Sequence, residues 1–131
     1  MPAPASYDYA VIRVVPRVDR EEFVNAGVIL FSKACRFLAA RVRVDEARLR
    51  AIYPAVDVDL VRRHLEAFPR VCAGEEGAGP IARLSQSERF QWLVAPRSTI
   101  IQSSPVHTGL CSDPGVRLEE LFVQLVAVRG E

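Results

Sequence analysis

The stretch "RSTIIQSSPVHTG", residues 97–109, holds most of the side chains in this sequence that could do chemistry together. A guanidinium fork and several hydroxyls can donate hydrogen bonds to one oxyanion. Histidine can transfer a proton near neutral pH, and a nearby serine would then be a nucleophile. The stretch is therefore a candidate ligand-binding segment, whose candidate residues are Arg97, Ser98, Thr99, Ser103, His107 and Thr108.

A structural role explains the same residues. On a strand, Thr99 and Ser103 would share a face with Ile101, and hydroxyls beside Pro105 suit a turn in which they bond nearby backbone groups. No residue of the stretch is assigned a catalytic role. Ligand site and polar strand both remain open at this point.

Arg13 joins the candidate ligand-binding residues for a different reason. It lies between Val11 and Val15 on an otherwise apolar strand face. A charge in such a place needs an Asp or Glu partner, or must reach a cleft.

Several classes of site lack their sequence signatures. His107, Cys111 and Asp113 have no recognised metal-ligand spacing, and no CxxC pair is present. There is no GxSxG motif for a hydrolase, and "AGEEGAGP" lacks the pattern of a phosphate-binding loop. We therefore predict no metal, no cofactor and no dithiol site.

Composition indicates one ordinary globular domain. The chain has 131 residues, half of them hydrophobic, and 17 basic against 16 acidic residues give a net charge of +1. This balance argues against nucleic-acid binding, and the Arg41–Arg43 row is most simply a solvated face. We see no signal peptide and no apolar run long enough for a membrane span, which predicts a cytoplasmic protein with reduced cysteines.

The apolar pattern predicts strands early in the chain. "YDYAVIRVV" and "NAGVILFS" are apolar on both faces and belong inside a sheet, whereas "FLAARVRV" alternates as a half-exposed strand does. The short turn between the last two makes them a hairpin, and Gly27 suggests a bulge or a close backbone approach. "STIIQSS" is predicted as a later strand, followed after Pro105 by a short extended piece.

Helices follow the first three strands. Asp45, Asp57 and Asp113 are capping residues of predicted helices, the last of which is expected to span 113–128. Ser85 with Glu88 forms a capping box that favours a short helix, whereas the alternation of Phe90, Trp92 and Val94 also fits a strand. Pro69 is expected to end or kink the second helix, and His64, on its apolar stripe, to be a packed, hydrogen-bonded core or edge histidine rather than a ligand. The result is an α+β fold, with a mainly antiparallel sheet of about four strands covered by three to four helices in a single domain 1–131, whose residues 1–6 are predicted to be frayed.

The whole chain resembles a bacterial family of short proteins catalogued as domain of unknown function 3037. The resemblance rests on "YDYAVIRVVP", on "EFVNAGVILF", and on "FQWLVAPRSTIIQSSPVHTGL" followed by the closing helix. The genes of this family often lie beside genes for kinases that resemble the persistence-toxin type. The resemblance therefore implies an accessory protein with a kinase partner, and it carries over no catalytic residue.

Two functions follow as expectations. The first is a non-enzymatic module that binds a protein partner. The second is a small enzyme or ligand-binding protein for a phosphorylated or nucleotide-like molecule, built from the segment Arg97 to Thr108. The sequence leaves open a homo-oligomer, and whether Arg13, Arg97 and His107 share a cleft.

Overall fold

The computed structural model describes residues 3–127 of the chain. Its strands and helices in chain order are β1 (Ala5–Val14), β2 (Val24–Ser32), β3 (Phe37–Val42), α1 (Glu46–Ile52), α2 (Val58–Cys72), a short 3₁₀ helix (Pro80–Arg83), α3 (Gln86–Val94), β4 (Ile101–Ser103), β5 (His107–Cys111) and α4 (Pro114–Leu125).

All pairings in the sheet are antiparallel. The order is β3-β2-β1, and β4 and β5 share the remaining side of β1. β5 pairs with the first half of β1 and β4 with its last residues. The predicted α+β class is confirmed, with one strand more than expected, because the piece after Pro105 also pairs with β1.

β1 and β2 form the middle of the sheet, and their register explains Gly27. The register shifts between Ile12 and Arg13, and a Cβ added at Gly27 would lie 2.8 Å from the Arg41 carbonyl and 2.9 Å from Val42 Cγ1. The bulge and the close approach are both present, so only glycine fits without displacing β3.

Helices cover both faces of the sheet. One core cluster packs β1 residues Ala10, Ile12 and Val14 against α2 and α3. The second cluster packs Tyr7, Val28 and Leu30 against α4, which lies over β2 and β3. Arg13 is half-buried, and its strand partner Asn25 donates a hydrogen bond to the Leu125 carbonyl at the end of α4.

The helix starts are those that the sequence predicts. Asp45, Asp57 and Asp113 each accept a hydrogen bond from a backbone N–H in the first turn of α1, α2 and α4. Ser85 and Glu88 form the capping box of α3. These side chains satisfy N–H groups that have no acceptor within the helix.

Two expectations for α2 hold only in part, because the helix does not end at Pro69 and His64 is an edge residue of the apolar stripe rather than a packed core residue. The helix continues past Pro69 to Cys72, since Phe68, Val71 and Cys72 are buried and hold the last turn against the core. His64 is exposed because it lies at the edge of the apolar stripe, next to buried Leu65.

The two ends of the chain differ slightly from expectation. Ala5 and Ser6 already belong to β1, although residues 1–6 are predicted to be frayed; residues 1–2 lie outside the described part. The closing helix ends at Leu125, and Val128, which we predicted to belong to it, lies outside the described residues. None of the helices within residues 3–127 has the length and apolar character needed to cross a membrane.

Candidate functional site

A polar cleft opens where the ends of β1 and β2 meet the segment after α3. Its volume is about 520 Å³, and we call it the arginine cleft. Three of the seven predicted ligand-binding residues, namely Arg13, Arg97 and Ser98, line it. The other lining residues are Val15, Val18, Asp19, Glu21, Phe23 and Gln102.

Arg13 extends into this cleft from near the end of β1, an inner strand of the sheet. It lies opposite Asn25 on β2 and Gln102 on β4, and its guanidinium lies 4.2 Å from the centroid of the Phe23 ring. Its Nε is buried without a hydrogen-bond partner. Within residues 3–127 no carboxylate forms an ion pair with Arg13, so the expected Asp or Glu partner is not found and the charge faces the cleft instead.

Arg97 borders the cleft from the segment that follows α3. Its guanidinium lies 4.3 Å from the centroid of the Trp92 ring and donates a hydrogen bond to the Trp92 carbonyl. Burial lowers the pKa of Arg97, but an arginine remains charged throughout the physiological range. Stacking and the hydrogen bond therefore fix a positive charge at the cleft wall.

Acidic side chains of the loop between β1 and β2 pair mostly within that loop. Arg17 lies 2.7 Å from the Asp19 carboxylate, and Arg20 lies 2.6 Å from that of Glu22. These hydrogen bonds lower the pKa of both carboxyl groups. Glu21, which has a backbone φ of 60°, lines the cleft and forms no ion pair within the described residues.

An apolar groove lies on the other side of Arg97. Its volume is about 590 Å³, and we call it the tryptophan groove. Arg97 lines this groove as well as the arginine cleft, so the two cavities adjoin across one side chain. The other lining residues come from α2, the 3₁₀ helix and the loop before it, α3, and the loop that leads into β4 with the first residue of that strand. They are His64, Ala67, Phe68, Val71, Ala78, Gly79, Pro80, Ile81, Trp92, Leu93, Thr99, Ile100 and Ile101.

Most hydroxyls of residues 97–109 bond to the backbone. The Thr99 hydroxyl donates to the Ile101 carbonyl at 2.8 Å, and that of Ser103 donates to the Ser104 carbonyl at 2.8 Å. Buried Ser104 accepts a hydrogen bond from the Val11 N–H and donates to the Pro105 carbonyl. Thr99 thus holds the chain that enters β4, and Ser103 and Ser104 hold the chain between β4 and β5. These are the backbone roles that the structural explanation predicts.

His107 and Thr108 lie away from the cleft. His107 is opposite Tyr9, with the two ring centroids 5.2 Å apart, whereas Gln102 is opposite Arg13. Tyr9 and Arg13 are four residues apart on β1, a distance of about 13 Å along a strand. Thr108, the next residue after His107, points to the other face of the sheet. Arg13 and Arg97 thus share a cleft, and His107 does not.

Catalytic and metal-binding arrangements are not found in the part of the chain that the structure describes. Residues 3–127 contain no group of three or more His, Cys, Asp or Glu side chains that could hold a metal ion. Cys72 and Cys111 are buried, whereas Cys35 is exposed, and none of the three forms a disulfide. The histidine and the serines of the polar stretch do not meet.

Sequence reasoning missed several residues that define these cavities. Trp92 could have been found from its position in the predicted helix. It lies off the apolar stripe of Phe90 and Leu93, so its large aromatic ring is on the outer side of α3. Glu21 and Phe23 carried no such signal, because their place depends on how the loop between β1 and β2 folds over the sheet end.

Fold and site define an α+β domain in which a five-stranded antiparallel sheet lies between helices and carries paired polar and apolar cavities at one end. The chain belongs to the family described as "Protein of unknown function (DUF3037)", whose model matches residues 9–126. No curated protein and no solved structure matches the chain.

Proposed function

We propose that this protein is a non-enzymatic module that works by binding a protein partner. The observation that carries the proposal is Trp92, which is 46% exposed at the rim of the tryptophan groove with Arg97 stacked on its ring. Tryptophan and arginine are among the residue types most enriched at positions that dominate binding energy at protein interfaces.

The tryptophan groove suits an apolar side chain of a partner. Its walls include Phe68, Val71, Ile81 and Ile100, and Trp92 extends one wall toward solvent. An apolar anchor that fills a concave site and excludes water is the usual centre of a protein interface. The resemblance to a family found beside toxin-type kinases supports such a kinase as the partner.

The proposal can be tested with a pair of matched alanine substitutions. Ala67 is an exposed residue of α2 that lines the groove, and Ala47 is an exposed residue of α1 that does not. The affinity of each variant for a toxin-type kinase, the proposed partner, would be measured by calorimetry with the purified proteins. Ala67→Glu should weaken binding at least tenfold, because it places a charge at the apolar groove, and Ala47→Glu should leave it unchanged.

Two results would contradict the proposal. The first is that the native protein forms no complex with the kinase and has no effect on its activity. The second is that Ala67→Glu, with an unaltered melting temperature, binds as tightly as the native protein does.

The second candidate is a small enzyme or ligand-binding protein for a phosphorylated or nucleotide-like molecule. Only one observation favours it, which is that Arg13, Arg97 and Ser98 line one cleft. A broad panel of nucleotides and phosphorylated metabolites would raise the melting temperature if this function holds, since a ligand specific to the native state stabilises it. Arg97→Ala and His107→Ala, made separately, would then show whether the segment acts as one site.

A further inference from the structure

We propose that the arginine cleft binds a carboxylate side chain of the partner, and that the same partner segment places an apolar residue in the tryptophan groove. This inference rests on the proposed function, because it specifies the chemistry of the segment that the module binds. The ligand is a short extended stretch with an acidic residue near an apolar one.

The unpaired positive charges that line the cleft favour the binding of an anion. The guanidinium groups of Arg13 and Arg97 both line it, and neither has a carboxylate partner within residues 3–127. The buried Nε of Arg13 is a donor without an acceptor, an arrangement that proteins rarely leave in place. A carboxylate oxygen is the acceptor that a guanidinium matches best in geometry.

The amount of charge favours a singly charged anion. Two arginines contribute two positive charges, and Glu21, which forms no ion pair in the described part of the chain, contributes one negative charge. Asp19 is already neutralised by Arg17. One carboxylate would therefore balance the site, whereas a phosphate dianion would leave excess negative charge beside Glu21.

The walls of the cleft suit a carboxylate carried on an apolar stem. Val15 is buried in the wall, and Val18 and Phe23 are 40% and 44% exposed. The methylene groups of a glutamate side chain could pack against them while its carboxylate lies between the guanidinium groups. Ser98 and Gln102 supply further polar groups at the same wall.

Arg97 lines both cavities, so that one ligand segment can contact both. Because it lines both, a ligand that fills one cavity reaches the other by passing a single side chain. A strand rises about 3.3 Å per residue, so residues two positions apart are about 7 Å from each other on the same side. A segment with an apolar and an acidic residue at that spacing presents both side chains on one side, as a ligand of two adjoining cavities must.

The test uses the full chain and two blocked peptides, acetyl-Leu-Gly-Glu-amide and acetyl-Leu-Gly-Gln-amide, with inorganic phosphate as a third probe. Binding would be followed by the NMR signals of the arginine Nε–H groups at constant ionic strength. The glutamate peptide should shift the signals of Arg13 and Arg97 saturably, at least tenfold more tightly than the glutamine peptide. Phosphate should bind more weakly than the glutamate peptide.

Variants of opposite expected effect complete the test. Arg13→Gln should weaken binding of the glutamate peptide at least tenfold, and Arg43→Gln, at an exposed arginine outside the cleft, should not. Glu21→Gln should tighten binding severalfold, because it removes a like charge from the site.

Equal binding of both peptides, preferential binding of phosphate, or an effect of Arg43→Gln equal to that of Arg13→Gln would overturn the inference. Its failure can be told apart from that of the proposed function. If Ala67→Glu abolishes kinase binding while Arg13→Gln leaves it unchanged, the groove binds the partner and the cleft does not.

Discussion

Tyr7 covers Gly109 across the β1–β5 pair. The two residues are directly opposite, and a Cβ added at Gly109 would lie 2.6 Å from the Tyr7 phenol oxygen and 2.7 Å from Cζ. The ring cannot easily move aside, because Tyr7 is buried and its hydroxyl accepts a hydrogen bond from Arg117 Nε at 2.8 Å. This contact holds β5, and with it His107, against the centre of the sheet.

We therefore expect Gly109→Ala to destabilise the protein by about 1–3 kcal/mol, as overpacking of a well-filled site does. Gly115→Ala is the matched control. Its added Cβ would meet no atom closer than 3.4 Å, and alanine in a helix is favoured over glycine by about 0.5–1 kcal/mol. Urea unfolding of both variants would measure the difference in the free energy of unfolding. Equal stability of the two variants would show that the Tyr7 ring moves aside at no cost.

The fold could be predicted from the sequence wherever a short-range pattern decides it. Caps at Asp45, Asp57 and Asp113 and the two-sided apolar strands β1 and β2 depend on neighbouring residues alone. Pro69 shows the limit of such rules. Its local effect is to end a helix, but burial of the next turn outweighs it.

The candidate site could be predicted only in part, because it depends on strand pairing. Arg13 and Arg97 are far apart in sequence, and they line the same cleft because β4 pairs with the end of β1. Closeness in sequence groups His107 with Arg97, yet the chain continues along β1 after Ser103 and places His107 opposite Tyr9, away from the cleft. Ile100 and Ile101 likewise both pack against the first core cluster, although strict alternation places them on opposite faces.

Ser104 offers a test of whether the hydroxyls of residues 97–109 are structural. Its Oγ accepts a hydrogen bond from the Val11 N–H at 2.8 Å, in a buried setting. Ser104→Ala leaves that N–H without its acceptor, which should cost about 1–3 kcal/mol. Ser103→Ala removes only a hydroxyl that bonds the adjacent carbonyl, and it should change stability little. Chemical unfolding of the two variants gives the comparison, and a smaller loss for Ser104→Ala than for Ser103→Ala would refute the structural role.

Arg13 should be unfavourable for stability, as residues kept for binding often are. An unsatisfied buried donor costs about 1–3 kcal/mol, and more when it belongs to a charged group. The contact of the Arg13 guanidinium with the ring of Phe23, which is itself 44% exposed, stabilises the fold by only about 0.5–1 kcal/mol. Arg13→Met keeps the apolar contact and removes the charge, so we expect a higher melting temperature. Arg43→Met, at an exposed site, should leave the melting temperature nearly unchanged, and a destabilised Arg13→Met variant would mean that the guanidinium supports the fold.

Cys72 and Cys35 should differ sharply in their reactivity. Burial raises the pKa of the Cys72 thiol to about 12, although nearby Arg89 acts in the opposite direction, whereas Cys35 is exposed. Because the thiolate is the reactive form, iodoacetamide at pH 8 should modify Cys35 in the native protein and leave Cys72 unmodified until the chain unfolds. Mass spectrometry of the digested protein would locate the label, and rapid labelling of Cys72 would show that the core around α2 opens.

The same thiol makes stability depend on pH in the alkaline range. In the unfolded chain Cys72 loses its proton near its ordinary pKa of 9.0, whereas in the folded protein it keeps the proton until about pH 12. Between these values the folded state binds more protons than the unfolded state. The contribution of Cys72 is therefore complete below pH 9.0 and declines as pH rises toward 12, by up to about 1.4 kcal/mol per pH unit. Urea unfolding at several pH values should show a shallower decline for Cys72→Ala than for the native protein, and parallel curves would show that Cys72 does not contribute.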